Sequence, residues 1–215
     1  MKSFIPVSFD LAKAEEAVRE FSNLLTRKDA LGESADILPL FRRLPLLCHM
    51  CHVGSKSLAL GSVNRYATEY HLFGSYVCDL VLADWENSTF TFIEFEDAMP
   101  SSVFVKNGKK ATKEWSKRFD HGCSQIIDWF HKIAKMTEHP DFEDLFGHRS
   151  IKFDGLLVIG RQKGLSTGEL QRLEWRSEHV VVYSQKINCV TYDGLLQQMM
   201  TRLEFWKTLT KSAST

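Results

Sequence analysis

Two neighbouring strand-like segments constrain this chain more than anything else in it. Tyr76-Val77-Cys78-Asp79-Leu80-Val81-Leu82-Ala83 and Thr89-Phe90-Thr91-Phe92-Ile93-Glu94-Phe95-Glu96 are dense in β-branched, aromatic and aliphatic residues. Asp84-Trp85-Glu86-Asn87-Ser88 between them supplies turn chemistry, so the pair reads as a β-hairpin. Three carboxylates sit on it. Glu94 and Glu96 are two apart on one strand and therefore project from the same face, with Cα atoms roughly 6.6 Å apart. Asp79, on the partner strand, can come level with them across the turn. Acids gathered on one face repel one another unless a cation or a proton intervenes. A divalent cation suits an all-oxygen cluster, where it can activate water and stabilise charge developing on phosphorus. Acidic strand residues also occur as plain solvated faces. What sets these apart is the apolar setting of Phe92, Ile93 and Phe95.

Around the hairpin the periodicity changes. Residues 8–26 predict a helix: Asp10 can cap it, and Leu11, Ala14, Val18, Phe21 and Leu25 mark one apolar stripe, with Gly32 as the break beyond it. The run from Ile37 to Met50 carries Pro39 and Pro45, which predicts a helix with proline near its start or two short helices. After the hairpin and a polar segment, a long helix is expected from about Thr112 to Met136, striped by Trp115, Phe119, Cys123, Ile126, Phe130 and Ile133. A strand over Phe153 to Ile159, a short helix near Glu169 to Arg176, a strand from Val180 to Tyr183 and a last helix from near Asp193 through Trp206 follow. A hairpin followed by alternating helix and strand implies a mixed sheet covered by helices, an α/β class. The chain reads as one domain over 1–215, with a helical N-terminal part over about 8–53 and a sheet core over about 70–209; the tail 211–215 is expected to fray.

Composition narrows the function classes. Lys plus Arg and Asp plus Glu balance at 27 each, so any affinity for nucleic acid has to come from a local patch. Such a patch is present: residues 101–118 hold Lys106, Lys109, Lys110, Lys113, Lys117 and Arg118 against a single acid, Glu114. Directly after the acidic strand, these side chains are placed to contact phosphates; a solvated loop is the plainer reading. No stretch approaches the apolar length that spans a bilayer, and the five cysteines form an odd set without a secretory leader, so reduced thiols and a cytoplasmic location are expected. Cys48-His49-Met50-Cys51-His52 matches a haem-attachment pattern literally, but its apolar helical context favours packed core thiols.

The order Asp, hairpin turn, acid-x-acid resembles a PD-(D/E)XK nuclease core. The likeness extends along the chain from about Glu33 onward. Asp79-Leu80-Val81, Ile93-Glu94-Phe95-Glu96-Asp97-Ala98, Gln125-Ile126-Ile127-Asp128-Trp129, Leu157-Val158-Ile159-Gly160-Arg161 and Thr191-Tyr192-Asp193 resemble the Shedu nuclease family of bacterial anti-phage defence proteins. The resemblance implies a restriction-endonuclease-like fold, a Mg²⁺- or Mn²⁺-dependent DNA endonuclease and a homo-oligomer, dimer or tetramer. It implies metal binding by Asp79 and Glu94, completed by Glu33 from an N-terminal helix, with Glu96 and Gln125 as further catalytic residues. Glu96 stands where the wider superfamily often has lysine. Three readings stay open there: a lysine supplied from elsewhere, with Lys106, Lys109 and Lys110 as candidates; Glu96 as an added metal ligand; or a degenerate site. The alternative function is a nuclease-fold module that holds DNA ends or a partner protein without cutting.

Overall fold

The computed structural model describes residues 3–58 and 61–212. Its strands are β1 (Ile5–Pro6), β2 (Arg65–Leu72), β3 (Tyr76–Asp84), β4 (Thr89–Phe95), β5 (Phe104–Val105), β6 (Glu114–Trp115), β7 (Lys152–Val158), β8 (Val181–Val182) and β9 (Gln185–Val190). Its helices are α1 (Leu11–Arg27), α2 (Leu38–Arg43), α3 (Pro45–Met50), α4 (Lys117–Met136), α5 (Pro140–Phe146), α6 (Thr167–His179) and α7 (Tyr192–Ser212). A π-helical turn, Glu33–Ile37, leads into α2, and a 3-10 turn, Cys51–Gly54, follows α3.

Seven strands form one mixed sheet in the order β1-β2-β3-β4-β7-β9-β8. The β2-β3-β4 half is antiparallel, whereas β4-β7 and β7-β9 are parallel, and α4 and α6 lie on the connections that parallel pairing requires. Both faces are covered. On one side α1, α2, α3 and α7 pack on Leu80, Leu82, Ile93, Phe95, Leu156 and Val158. On the other, α4, α5 and α6 pack on Val81, Ala83, Phe90, Phe92 and Leu157. The alternation along β4 therefore sends Ile93 and Phe95 toward α1 and Phe90 and Phe92 toward α4, which puts Glu94 on the α4 side. Helix α4 lies close on the sheet because Gly155 of β7 has no Cβ; one built there would stand 2.6 Å from Ile126 Cγ2.

The hairpin, the α/β class and the two short proline-led helices follow the sequence expectation. Asp10 caps α1 through a hydrogen bond accepted from the Lys13 amide at 3.1 Å. The helix ends at Arg27, so Gly32 is not its breaker; it instead precedes the π-helical turn. Other elements differ. The long helix starts at Lys117 rather than near Thr112, because Ser116 caps it and Glu114–Trp115 pair with Phe104–Val105 as a small β-ribbon. The strand expected over Val180 to Tyr183 is cut by a turn at Tyr183 and Ser184, both with positive φ, and the true ladder strand is β9 behind it. Strand β2 and helix α5 were not expected at all. The last helix continues to Ser212, and residues 213–215 of the expected frayed tail lie outside the described residues.

Cys48 and Cys51 are fully buried thiols, pushed up by burial, Cys48 to about 12, and Cys48 donates to the Phe41 carbonyl at 3.1 Å. His49 is buried beside them and burial pushes it down to about 4, so it packs as a neutral ring.

Candidate acidic site

The β3–β4 register runs Leu80 opposite Ile93, and one step further Asp79 falls level with Glu94. There the ladder gives way to a side chain: Asp79 Oδ2 accepts the Phe95 amide at 2.9 Å. Asp79 and Glu94 therefore face each other across the paired strands, each raising the cost of ionising the pair. Burial is the main reason both hold protons above the ordinary carboxylate range, Asp79 to about 6 and Glu94 to about 10, and their mutual repulsion adds to it on Glu94. Ionising either carboxyl makes ionising the other harder, so the two titrate as a pair.

Glu96 lies just beyond the end of β4 and is 1% exposed. Its Oε1 meets His121 Nδ1 at 2.9 Å, and its Oε2 faces the Arg118 guanidinium at 3.1 Å in an ion pair without a well-aligned hydrogen bond. Burial raises its affinity for a proton, against the pull of His121 and Arg118. Its close approach to α4 depends on Gly122, where an added Cβ would stand 3.0 Å from Glu96 Cγ and 2.6 Å from Leu157 Cδ1. Its backbone carbonyl is fixed by the buried Tyr192 hydroxyl, which donates to it at 2.5 Å.

Glu33 reaches the same field. The Leu31–Ala98 bridge draws the start of the π-helical turn alongside the continuation of β4. Burial raises the Glu33 carboxyl, and its charge acts on Asp79, Glu94 and Glu96 alike. Gln125 stands one helical turn beyond His121 on α4, half-buried, and its Oε1 is enclosed without a hydrogen-bond partner. Glu33, Asp79, Glu94 and Glu96 thus belong to one neighbourhood built by the β3–β4 hairpin and the π-helical turn, flanked by Arg118 and His121 of α4, with Gln125 one turn further along that helix.

The basic residues divide. Arg118 is the cation at the acids, pairing with Glu96 and, through Nε at 3.3 Å, with Asp97. Lys110 pairs with Glu114 and Lys113 with Glu169, both away from the acids. Lys106, Lys109 and Lys117 have no carboxylate partner among the described residues. Asp97, which the sequence did not single out, takes part by pairing with Arg118 and accepting from the Ser102 hydroxyl. The only signal for it was its position next to Glu96.

Among the described residues no three His, Cys, Asp or Glu side chains stand as a ready-made cage. The donor chemistry nevertheless suits a hard cation. Asp79 and Glu94, level on paired strands, supply carboxylate oxygens of the type that divalent hard cations take. A family model described as Shedu protein SduA, C-terminal, matches residues 30–196 of this chain. No curated protein matches it.

Proposed function

The chain belongs to the Shedu SduA C-terminal family, and from that premise we propose that it is a divalent-metal-dependent DNA endonuclease of anti-phage defence with a PD-(D/E)XK core. One observation carries the proposal: the β3–β4 register sets part-buried Asp79 level with buried Glu94 at the end of the hairpin, with buried Glu96 one pleat further on the same face. The β3–β4 hairpin, the α4 crossover and parallel β7 are the parts such a core uses. Asp79 and Glu94 would hold Mg²⁺ or Mn²⁺, with Glu33 at its edge. Bound there, the ion supplies Lewis acidity toward a phosphoryl oxygen and a more acidic water.

The chain's own groups do the rest. Arg118, half-exposed between Glu96 and Asp97, is fixed in place to meet a phosphodiester oxygen and offset its charge. That answers the missing lysine with an arginine from α4 rather than with Lys106, Lys109 or Lys110. Gln125 directs an unsatisfied amide oxygen that can orient a water. Glu96 Oε1, bonded to His121, can hold a proton released during attack. Homo-oligomeric assembly, as a dimer or tetramer, belongs to the same proposal.

A second reading is favoured by the engagement of Glu96 with Arg118 and His121 in place of a three-carboxylate cage: a module that binds DNA or a partner protein without cutting it. Cleavage of supercoiled and linear DNA by wild type and Glu94→Gln, with Mg²⁺ and with Mn²⁺, separates the two. The nuclease reading predicts cutting by wild type and a loss of at least about a hundredfold in the variant, as for removal of one transition-state contact or more. Tight DNA binding with no cutting under either metal would establish the binding module instead.

A further inference from the structure

On the flank of α4 opposite the acids, α6 and the β5–β6 ribbon border an open surface cavity of about 360 Å³ lined by Trp115, Arg172, Trp175, Arg176 and Val180. Its cations are set by stacking rather than by carboxylates alone. The Arg172 guanidinium lies 4.6 Å from the Phe104 ring centre and 5.3 Å from that of Trp115. Arg176 lies 4.8 Å from Trp115 and 4.7 Å from Phe119. Arg172 also donates to the Lys113 carbonyl at 2.9 Å. At the mouth stands Trp175, 61% exposed, its ring steadied by parallel stacking on His179 at 4.9 Å.

An exposed indole held in one orientation offers a flat face on which a planar ring can stack. Of the acids around it, Glu169 is engaged by Lys113 and Asp120, loosely at 3.8 Å, by Arg176, while Glu174 and Glu178 are exposed beside Trp175 on α6. The unpaired Lys106, Lys109 and Lys117 lie on the adjoining ribbon and helix start. An aromatic face beside ordered guanidinium groups and free lysines is what single-stranded nucleic acid recognises: stacking for a base, charge for its phosphates. Position agrees with this. Trp115 immediately precedes Ser116, the cap of α4, and the first turn of that helix carries Arg118 and His121 to Glu96. Cavity and acids are therefore about one helix diameter apart, roughly 10 Å.

We propose that this cavity, with Trp175 as its platform, receives an unpaired nucleobase of the DNA strand whose backbone crosses the α4 N-terminus toward the acids. The proposal rests on the nucleic-acid reading of the acidic site and specifies its substrate as DNA with an unpaired segment. Binding is measured without metal, by anisotropy of a labelled single-stranded oligonucleotide and of a fully paired duplex, for wild type, Trp175→Ala and Trp175→Phe. The expected result is a loss of about fivefold to a hundredfold on the single strand for Trp175→Ala, the range reported for one stacked base. Duplex binding should change less than about twofold, and Trp175→Phe should recover most of the loss. Equal effects on both DNAs, or none, would overturn the proposal. So would a Trp175→Ala variant whose elution in size exclusion shifts while DNA binding holds, because Trp175 would then cover a second copy of the chain. Trp175 is exposed, so an unchanged melting temperature is expected to confirm folding. A protein that never cuts yet shows this single-strand preference would refute the nuclease reading and leave the platform standing.

Discussion

At the residue scale, the acidic hairpin trades folding stability for a site. Asp79 and Glu94 lose solvation on burial and keep a proton that an unfolded chain would release. The folded state binds more protons than the unfolded state from about pH 4.5, the ordinary value for glutamate, up to about 10, where folded Glu94 ionises. The Glu94 contribution is therefore complete below the lower limit and is lost as pH rises through the upper one, while that of Asp79 is lost earlier, through about pH 6. Metal-free protein should melt at progressively lower temperature as pH is raised across that window, and Glu94→Gln should flatten the slope. A melting temperature that climbs with pH, unaffected by the substitution, would contradict the account. Tyr192 offers a second check. Tyr192→Phe leaves the buried Glu96 carbonyl unpaired, which should cost about 1–2 kcal/mol by denaturant unfolding. Glu94 and Glu96 were legible in the sequence because acids stand out against Phe92, Ile93 and Phe95. The role of Arg118 was not, because within a run of lysines nothing marks which cation turns inward.

At the scale of elements, the legible parts were those with strong local pattern: the amphipathic α1, the hairpin, the strand β7. The missed parts owe their structure to partners. Strand β2 carries Glu69 and His71 among its apolar residues and is a strand because β3 pairs with it along most of its length. Trp115 fits a helical stripe, yet Ser116 caps the helix just after it and releases Trp115 to stack on Phe104 and Phe119. Arg161 shows how distant elements are tied together behind the site. It is nearly buried, forks onto Asp193 at the start of α7, and donates to the Leu25 and Lys28 carbonyls at the end of α1. Arg161→Ala strands those acceptors and should cost about 3 kcal/mol in chemical denaturation, the low end for breaking a buried pair because Asp193 is partly exposed. A change within about 0.5 kcal/mol would show that the two helices are held by their apolar contacts alone.

At the scale of the molecule, a sheet covered on both faces leaves function to the open edge where β4 ends and α4 begins. No helix of the described residues is long and apolar enough to cross a membrane. With a formal net charge of zero, any affinity for DNA has to be local. Replacing Lys109 and Lys117 with glutamine should lower the slope of log K against log salt by about two and weaken all DNAs alike; an unchanged slope would remove both from the interface. The family and the α/β class were legible in the sequence through ordered short motifs, whereas the site's architecture depends on Glu33 and Arg118 arriving from separate segments.

The most direct test of the central claim, that Asp79 and Glu94 form a divalent-cation site, is calorimetric titration of the metal-free protein with Mn²⁺ beside a joint Asp79→Asn, Glu94→Gln variant. The account predicts saturable binding by wild type with release of protons, read as a dependence of the heat on buffer ionisation enthalpy, and no binding by the variant. Binding of equal strength in both proteins, or none by wild type, would contradict it.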